Sequence, residues 1–363
     1  MLLSSLDKVE NCNQILLCDE EEYRAVRERV ALINYNSYTK LKISGGDALD
    51  LLNYCNLADI EQLPVNQMMS SFMLSEEGAV ICDATVANFG DYFYLFGEGV
   101  ACDKLSQHMK ACADQQNYEV SIEDHTQLEG LIGVDGPYAW ELLKEFVGMA
   151  VIGMRYLEIA PDTEIDGISL NLCRAGKSGE FSYWLHCDME QFKRLWQTLM
   201  DKGERFDIRE VSQETIDVCK MENRFTNVRR EAQWNNANVL SFNTRVMRSL
   251  EKEDYLGRSM VDEVIASGLE QRTIGLVLEA DPRDHGVAIG DSVTAAGETI
   301  GQVVNLAYSY TLNQWMALAF INTEYAYVGL DFEIGDVGAT TVSCPFIMNK
   351  SLTVRPQEES YFD

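Results

Sequence analysis

Apolar and polar positions along the chain fall into two rhythms, one with period two and one with a helical period. Residues 79–87 read as a strand buried on both faces, Ala79-Val80-Ile81-Cys82-Asp83-Ala84-Thr85-Val86-Ala87. It follows a turn at Glu76-Glu77-Gly78 and pairs with residues 69–75 as a hairpin. Further strands are expected at 40–43, 92–96, 128–134, 167–173 and 181–186. Helical periodicity marks 19–31, 47–57, 101–116, 138–146 and 189–201. The first opens with Asp19-Glu20-Glu21-Glu22 and closes with Arg24, Arg27 and Arg29, which suits the helix dipole. Pro137 sits near the first turn of the helix at 138–146. Residues 212–269 are mixed and partly polar, without a clear period. From Arg272 onward strands alternate with glycine turns, at 273–279, 292–294, 300–304 and 315–321. The expected fold class is α+β, with an α+β region over 1–270 and an all-β barrel or jelly roll over 271–363.

Composition narrows the function. The 363 residues are 46% hydrophobic, enough for a full core. Lys and Arg number 29 against 58 Asp and Glu, a formal net charge of −29 that would repel nucleic acids and anionic membranes. The ten cysteines form no CxxC pair, and several lie in apolar runs, as free thiols of a reducing cytoplasm do. The four histidines form no ligand spacing, so no metal site is expected. No basic-then-apolar leader opens the given sequence and no apolar stretch reaches the roughly 20 residues that span a bilayer, so a cytoplasmic protein is expected.

One carboxylate stands in an apolar place. On a strand, Asp83 shares a face with Ile81, Thr85 and Ala87. Burying its charge costs several kcal/mol, roughly, unless something pairs with it. It is therefore either a candidate for chemistry or a strand-end Asp bonded to backbone N–H groups. The run Gly176-Lys177-Ser178 is not a phosphate loop, because Asn171 stands where that pattern needs glycine and the flanking segment is a strand. It reads as a hairpin connection carrying Arg174, Lys177, Ser178 and Glu180. Tyr38, Phe72, Tyr183 and Trp184 either stack on a flat heterocycle or belong to the core.

Taken in order, several blocks resemble the aminomethyltransferase family, typified by the T-protein of the glycine cleavage system. They are Gly46-Asp47-Ala48-Leu49, then Met73-Leu74-Ser75-Glu76-Glu77-Gly78-Ala79-Val80-Ile81-Cys82-Asp83, then Leu131-Ile132-Gly133-Val134-Asp135-Gly136-Pro137. Arg174-Ala175-Gly176-Lys177-Ser178-Gly179-Glu180 follows, then Asp217-Val218-Cys219-Lys220-Met221-Glu222 and Tyr255-Leu256-Gly257-Arg258. The resemblance spans about residues 20–350, with 225–250 hard to align. It implies three domains in a cloverleaf of antiparallel sheets and helices around a central folate cavity, two of them interleaved within 1–270. It implies tetrahydrofolate as cofactor, Asp83 as the catalytic carboxylate, and a cofactor site drawn from Tyr38, Ser70, Phe72, Arg174, Lys177, Glu180 and Trp184. A carboxylate there accepts the paired N–H donors of a pterin edge and can manage a proton.

The sequence departs from the family at telling points. Cys82 replaces the first Asp of a pair, Lys177 a loop Tyr, Trp184 an acidic residue, and Ile216 an Arg. These changes argue against aminomethyl transfer from a lipoyl carrier protein and for methyl transfer from a small S-, N- or O-methylated donor. Tyr38, Phe72 and Trp184 would wall such a donor. A cationic donor suits aromatic rings and an acidic protein, whereas an inward-pointing Lys177 opposes it. Aminomethyl transfer of the glycine-cleavage type, a non-catalytic folate-binding protein and a folate-independent enzyme reusing the cavity are the rival readings. The sequence carries no signal of oligomeric state.

Overall fold

The computed structural model describes residues 14–234, 238–242 and 252–363. The chain starts a six-stranded sheet with Ala31–Asn34, leaves it to build a five-stranded sheet between residues 39 and 124, and returns to finish the first from Glu129 onward. The five-stranded sheet is antiparallel, in the order Gln67–Leu74, Val80–Asn88, Phe93–Glu98, Thr39–Ser44, Ser121–Asp124. The six-stranded sheet runs Arg209–Val211, Ala31–Asn34, Glu129–Asp135, Ser182–Asp188, Ile168–Cys173, Ile159–Ile165. Strands from Gln271 to Val342 close into a six-stranded barrel. The α+β class and the C-terminal barrel are thus as expected. Among the described residues, no helix is long and apolar enough to cross a membrane.

Local sequence explains the elements that hold the site. Asp19 caps the helix Glu20–Glu28 by accepting from the backbone N–H groups of Glu21 and Glu22 at 2.9 and 3.0 Å. Ser212 caps Gln213–Asn223 through the Thr215 N–H. This second helix lies in the stretch without period, and its surroundings say why. Thr215 through Glu222 are all buried, apolar and charged alike, so no face is left to set a rhythm.

Each sheet covers its outer face with helices and turns its inner face to the middle. Met73, Cys82, Ala84, Val86 and Leu95 pack beneath Ala48–Cys55 and Cys102–Gln116. Phe72, Ala87, Tyr94 and Phe96 face inward, where they meet Ile33, Leu131 and Trp184 of the other sheet and Val304, Met316 and Phe320 of the barrel. A register shift at Met73/Leu74 makes Ile81 an extra residue, paired with nothing across the hairpin. Ile81 therefore packs on the helical side, and Asp83 shares its face with Thr85, Ala87 and, across the bulge, Val80. Cys82 also lies on the helical side, where an Asp would be a charge in an apolar layer.

One buried cation clamps the N-terminal helix, the connection around Glu180, the helix Gln213–Asn223 and the segment after the barrel. Arg27 donates to Glu222 through Nε at 3.0 Å and through Nη2, and its Nη1 reaches Glu180 Oε1 at 3.4 Å and Asn349 Oδ1 at 3.2 Å. Glu222 also accepts from Tyr23 and from Ser309 of the barrel, both at 2.5 Å. Removing one partner of such a cluster strands the others without water. Arg27→Met is expected to cost about 3–5 kcal/mol, read by chemical denaturation. A loss under about 1 kcal/mol would mean that the clamp is incidental.

Candidate functional site

The inner face of the five-stranded sheet sets the frame. Asp83 lies directly opposite Phe72 on one neighbouring strand and Glu98 on the other. Ser70 lies opposite Thr85, two residues along the same face. Facing residues in such a ladder point the same way, so two carboxylates sit side by side in the core. Asp83 and Glu98 are 8% and 3% exposed.

A lysine from the other sheet's long connection sits between them. Lys177 Nζ donates to Asp83 Oδ2 at 2.5 Å and to Glu98 Oε2 at 3.2 Å. Lys220, wholly buried on the helix Gln213–Asn223, reaches both oxygens of Glu98 at 2.7 and 2.9 Å. Tyr38 donates its hydroxyl to Glu98 at 2.9 Å. Arg229 pairs with Asp217 at 3.2 Å and stands 3.7 Å from Glu98. Three carboxylates therefore meet three cations, and the cluster is neutral as a whole.

The two carboxylates are held differently. Burial works against the charge of Glu98, but Lys220, Lys177 and Arg229 outweigh it and hold the group well below the ordinary carboxylate range. Burial lifts Asp83 above its ordinary value, with Glu98 adding to the rise and Lys177 only partly offsetting it. Burial also opposes the charge of Lys177, yet Asp83 and Glu98 keep it protonated beyond the usual lysine range.

Aromatic side chains pack against the cluster. The Tyr38 ring lies 5.9 Å from Lys177 Nζ and contacts Tyr35 and Trp184 at 5.1 and 6.0 Å between centroids. Trp184 also meets Phe96 edge-on at 5.7 Å. The Trp184 Nε1–H and the Tyr35 hydroxyl are buried without a hydrogen-bond partner. Two orphaned donors on rings packed against Tyr38, itself bonded to Glu98, fit a ligand that carries acceptors on one edge.

Of the residues singled out from sequence, Asp83, Lys177, Tyr38 and Trp184 come together. Phe72 shares the sheet face but turns its ring to Phe242, at 5.9 Å, and Ser70 lies farther along that strand. Arg174 donates to the Ser182 carbonyl at 2.9 Å and lies over the rings of Phe181 and Tyr183. Glu180 belongs to the clamp and accepts from Ser351 N–H at 2.8 Å and Ser351 Oγ at 2.5 Å. Sequence reasoning missed Glu98, Lys220 and Tyr35. Glu98 was visible as the residue two beyond Phe96, on the inward face, and Lys220 as the cation three after Asp217 in a family block.

Two family profiles match the chain. "GCVT N-terminal domain" covers residues 13–247, and "Glycine cleavage T-protein C-terminal barrel domain" covers 271–347. The aminomethyltransferase of Alkaliphilus metalliredigens is 26% identical over 316 residues, 86% of this chain and 84% of that protein. The aminomethyltransferase of Clostridium botulinum strain Langeland is 25% identical over the same shares. The solved aminomethyltransferase T of the glycine cleavage system from Bartonella henselae superposes with a TM-score of 0.76, covering 95% of both chains at 15% identity. The chain belongs to the glycine cleavage T-protein family. The aminomethyltransferases of this family are one-carbon transferases that use tetrahydrofolate as the carrier.

Because Glu98 titrates lower folded than unfolded, its contribution is complete above the unfolded value of 4.5 and fades as pH falls below it. Glu98→Gln is expected to destabilise the protein by about 3 kcal/mol near neutral pH. The gap to wild type should narrow between about pH 5 and about pH 3, read by urea denaturation across that range. A gap that does not change with pH would contradict the assignment.

Proposed function

We infer that this chain moves a one-carbon unit from a small S-, N- or O-methylated compound to tetrahydrofolate. The observation that carries the reading is the Asp83 carboxylate, buried beside Glu98 on the inner face and held by a single lysine, with the orphaned donors of Trp184 and Tyr35 on rings that pack against Tyr38. Bound tetrahydrofolate supplies the nitrogen that takes the one-carbon unit. Asp83 would hold the paired N–H donors of the pterin edge, and the unpartnered Trp184 Nε1 and Tyr35 hydroxyl would be donors for its acceptors. With its proton affinity raised by burial, Asp83 can hold or release a proton at Oδ. The apolar core around the cluster excludes water, which strengthens each of these interactions.

Charge balance narrows the donor. Lys177 points inward, and the cluster is already neutral. A permanent sulfonium or quaternary ammonium would bring an unpaired charge into the core, at a cost of several kcal/mol, roughly. A donor that is neutral at its methyl group, such as a methoxy, methylthio or uncharged N-methyl compound, avoids that cost, its leaving oxygen, sulfur or nitrogen taking up the proton that the folate nitrogen gives up. The nine described cysteines, all free thiols, support a cytoplasmic setting.

Aminomethyl transfer of the glycine-cleavage type is the second reading, and the names of the relatives favour it. Products separate the two. Incubation with tetrahydrofolate and a panel of neutral methylated donors is expected to yield 5-methyltetrahydrofolate. Methylenetetrahydrofolate with ammonia from an aminomethyl carrier would establish the second reading instead. Asp83→Asn should reduce turnover by at least about a hundredfold. Folate binding without turnover of any donor would point to a binding protein.

A further inference from the structure

We propose that Lys177 competes with the pterin's N–H edge for Asp83, and yields Asp83 to folate by moving onto Glu98. The proposal rests on the folate reading above and assigns Lys177 as the residue that sets folate affinity.

The geometry gives the lysine two partners of unequal strength. Asp83 accepts a side-chain hydrogen bond from Lys177 alone among the described residues. Glu98 accepts from Lys220 through both oxygens, from Tyr38 and from Lys177. Glu98 is thus a fixed anion and Asp83 the releasable one. The ammonium already bridges them, at 2.5 and 3.2 Å, so a small displacement moves it wholly to Glu98 without exposing it to an apolar wall.

The backbone beneath Lys177 is pinned, so the exchange is confined to the side chain. The Ser178 carbonyl accepts from Arg27 Nη1 at 2.7 Å and from Asn223 Nδ2 at 2.8 Å. Gly179 takes a positive φ of 87° hard against Asn223, where an added Cβ would lie 2.3 Å from that side chain. Gly176 leaves no room for a Cβ beside Ser182. A loop fixed on both sides of Lys177 positions the ammonium as a strut, and only its methylene stem is free to turn.

Two consequences distinguish this role from plain structural support. First, folate must displace the lysine from Asp83, so removing the ammonium strengthens folate binding. Second, Glu98 assists binding without touching folate, because it receives the displaced lysine, and that assistance requires Lys177. Lys177 is a positioning residue in this scheme, acting through Asp83.

Tetrahydrofolate titrations followed by tryptophan fluorescence test it, on wild type, Lys177→Tyr, Lys177→Met, Glu98→Gln and the Glu98→Gln/Lys177→Met double variant. Lys177→Tyr and Lys177→Met should each bind about tenfold tighter than wild type, and Glu98→Gln about tenfold weaker. In the double variant the Glu98 effect should shrink to within about threefold of Lys177→Met. Equal Glu98 effects with and without Lys177, or no tightening by either lysine substitution, would overturn the proposal while leaving folate binding by wild type intact. Binding by neither wild type nor Lys177→Tyr, with native circular dichroism in both, would overturn the folate reading and this proposal together. Should Glu98→Gln fail to fold, the two lysine variants decide the matter by themselves.

Discussion

The buried Arg27–Glu222 pair is the joint on which the rest of the molecule depends. Glu222 takes hydrogen bonds from the N-terminal helix, through Tyr23 and Arg27, and from the barrel, through Ser309. Arg27 in turn holds the Ser178 carbonyl of the glycine loop, Glu180 and Asn349. One guanidinium thus ties together segments that lie 322 positions apart in the chain. Such a pair is not a cheap source of stability, because two charges lose their water. Its value is geometric: it admits one arrangement of helix, loop and barrel, and that arrangement aims Lys177 at the sheet.

The same short helix supplies both halves of the scheme. Glu222 faces the clamp, and Lys220, two residues before it, faces Glu98. Clamp and site are therefore coupled through rigid backbone rather than through a chain of loosely packed side chains. A disturbance at Arg27 would reach Glu98 as a shift of Lys220 and Asp83 as a shift of Lys177. The two glycines of the loop make the approach possible, since a Cβ at either position would collide with Ser182 or Asn223.

Much of this was legible in the residue pattern, and the limits of legibility have physical causes. The hairpin strands, the helices around 101–116 and 189–201 and the barrel strands carry strong periodicity, and each lies where expected, as Gln67–Leu74 with Val80–Asn88, Cys102–Gln116, Met189–Gly203 and the closed sheet. The helix Gln213–Asn223 is buried on every side, so charged and apolar residues share the same surroundings and the pattern disappears. Ile81 was assigned to the inward face because alternation was carried through a bulge that sequence does not mark. Asp83 stood out as a carboxylate among apolar neighbours. Glu98 did not, because it closes its strand next to Gly97 and Gly99, where an acidic residue looks like the start of a loop. Glu180 looked like part of the same site for the opposite reason. It lies three residues from Lys177, but the turn sends the two side chains to different cores.

Two of the departures from the family pattern are linked by the physics of desolvation. Trp184 stands where the family places an acid, and its ring fills space that a carboxylate would have kept polar. A drier site makes an ionised Asp83 more costly, and a tyrosine in the loop could give that carboxylate a hydrogen bond but no charge. A lysine at the same position supplies both. In the proposed scheme the lysine needs a second anion when folate holds Asp83, and Glu98, anchored by Lys220, is placed to provide it. Trp184 and Lys177 are then one adaptation rather than two. On the proposed reading, the Asp83 carboxylate does the chemistry, and Trp184 and Lys177 leave its surroundings dry and neutral.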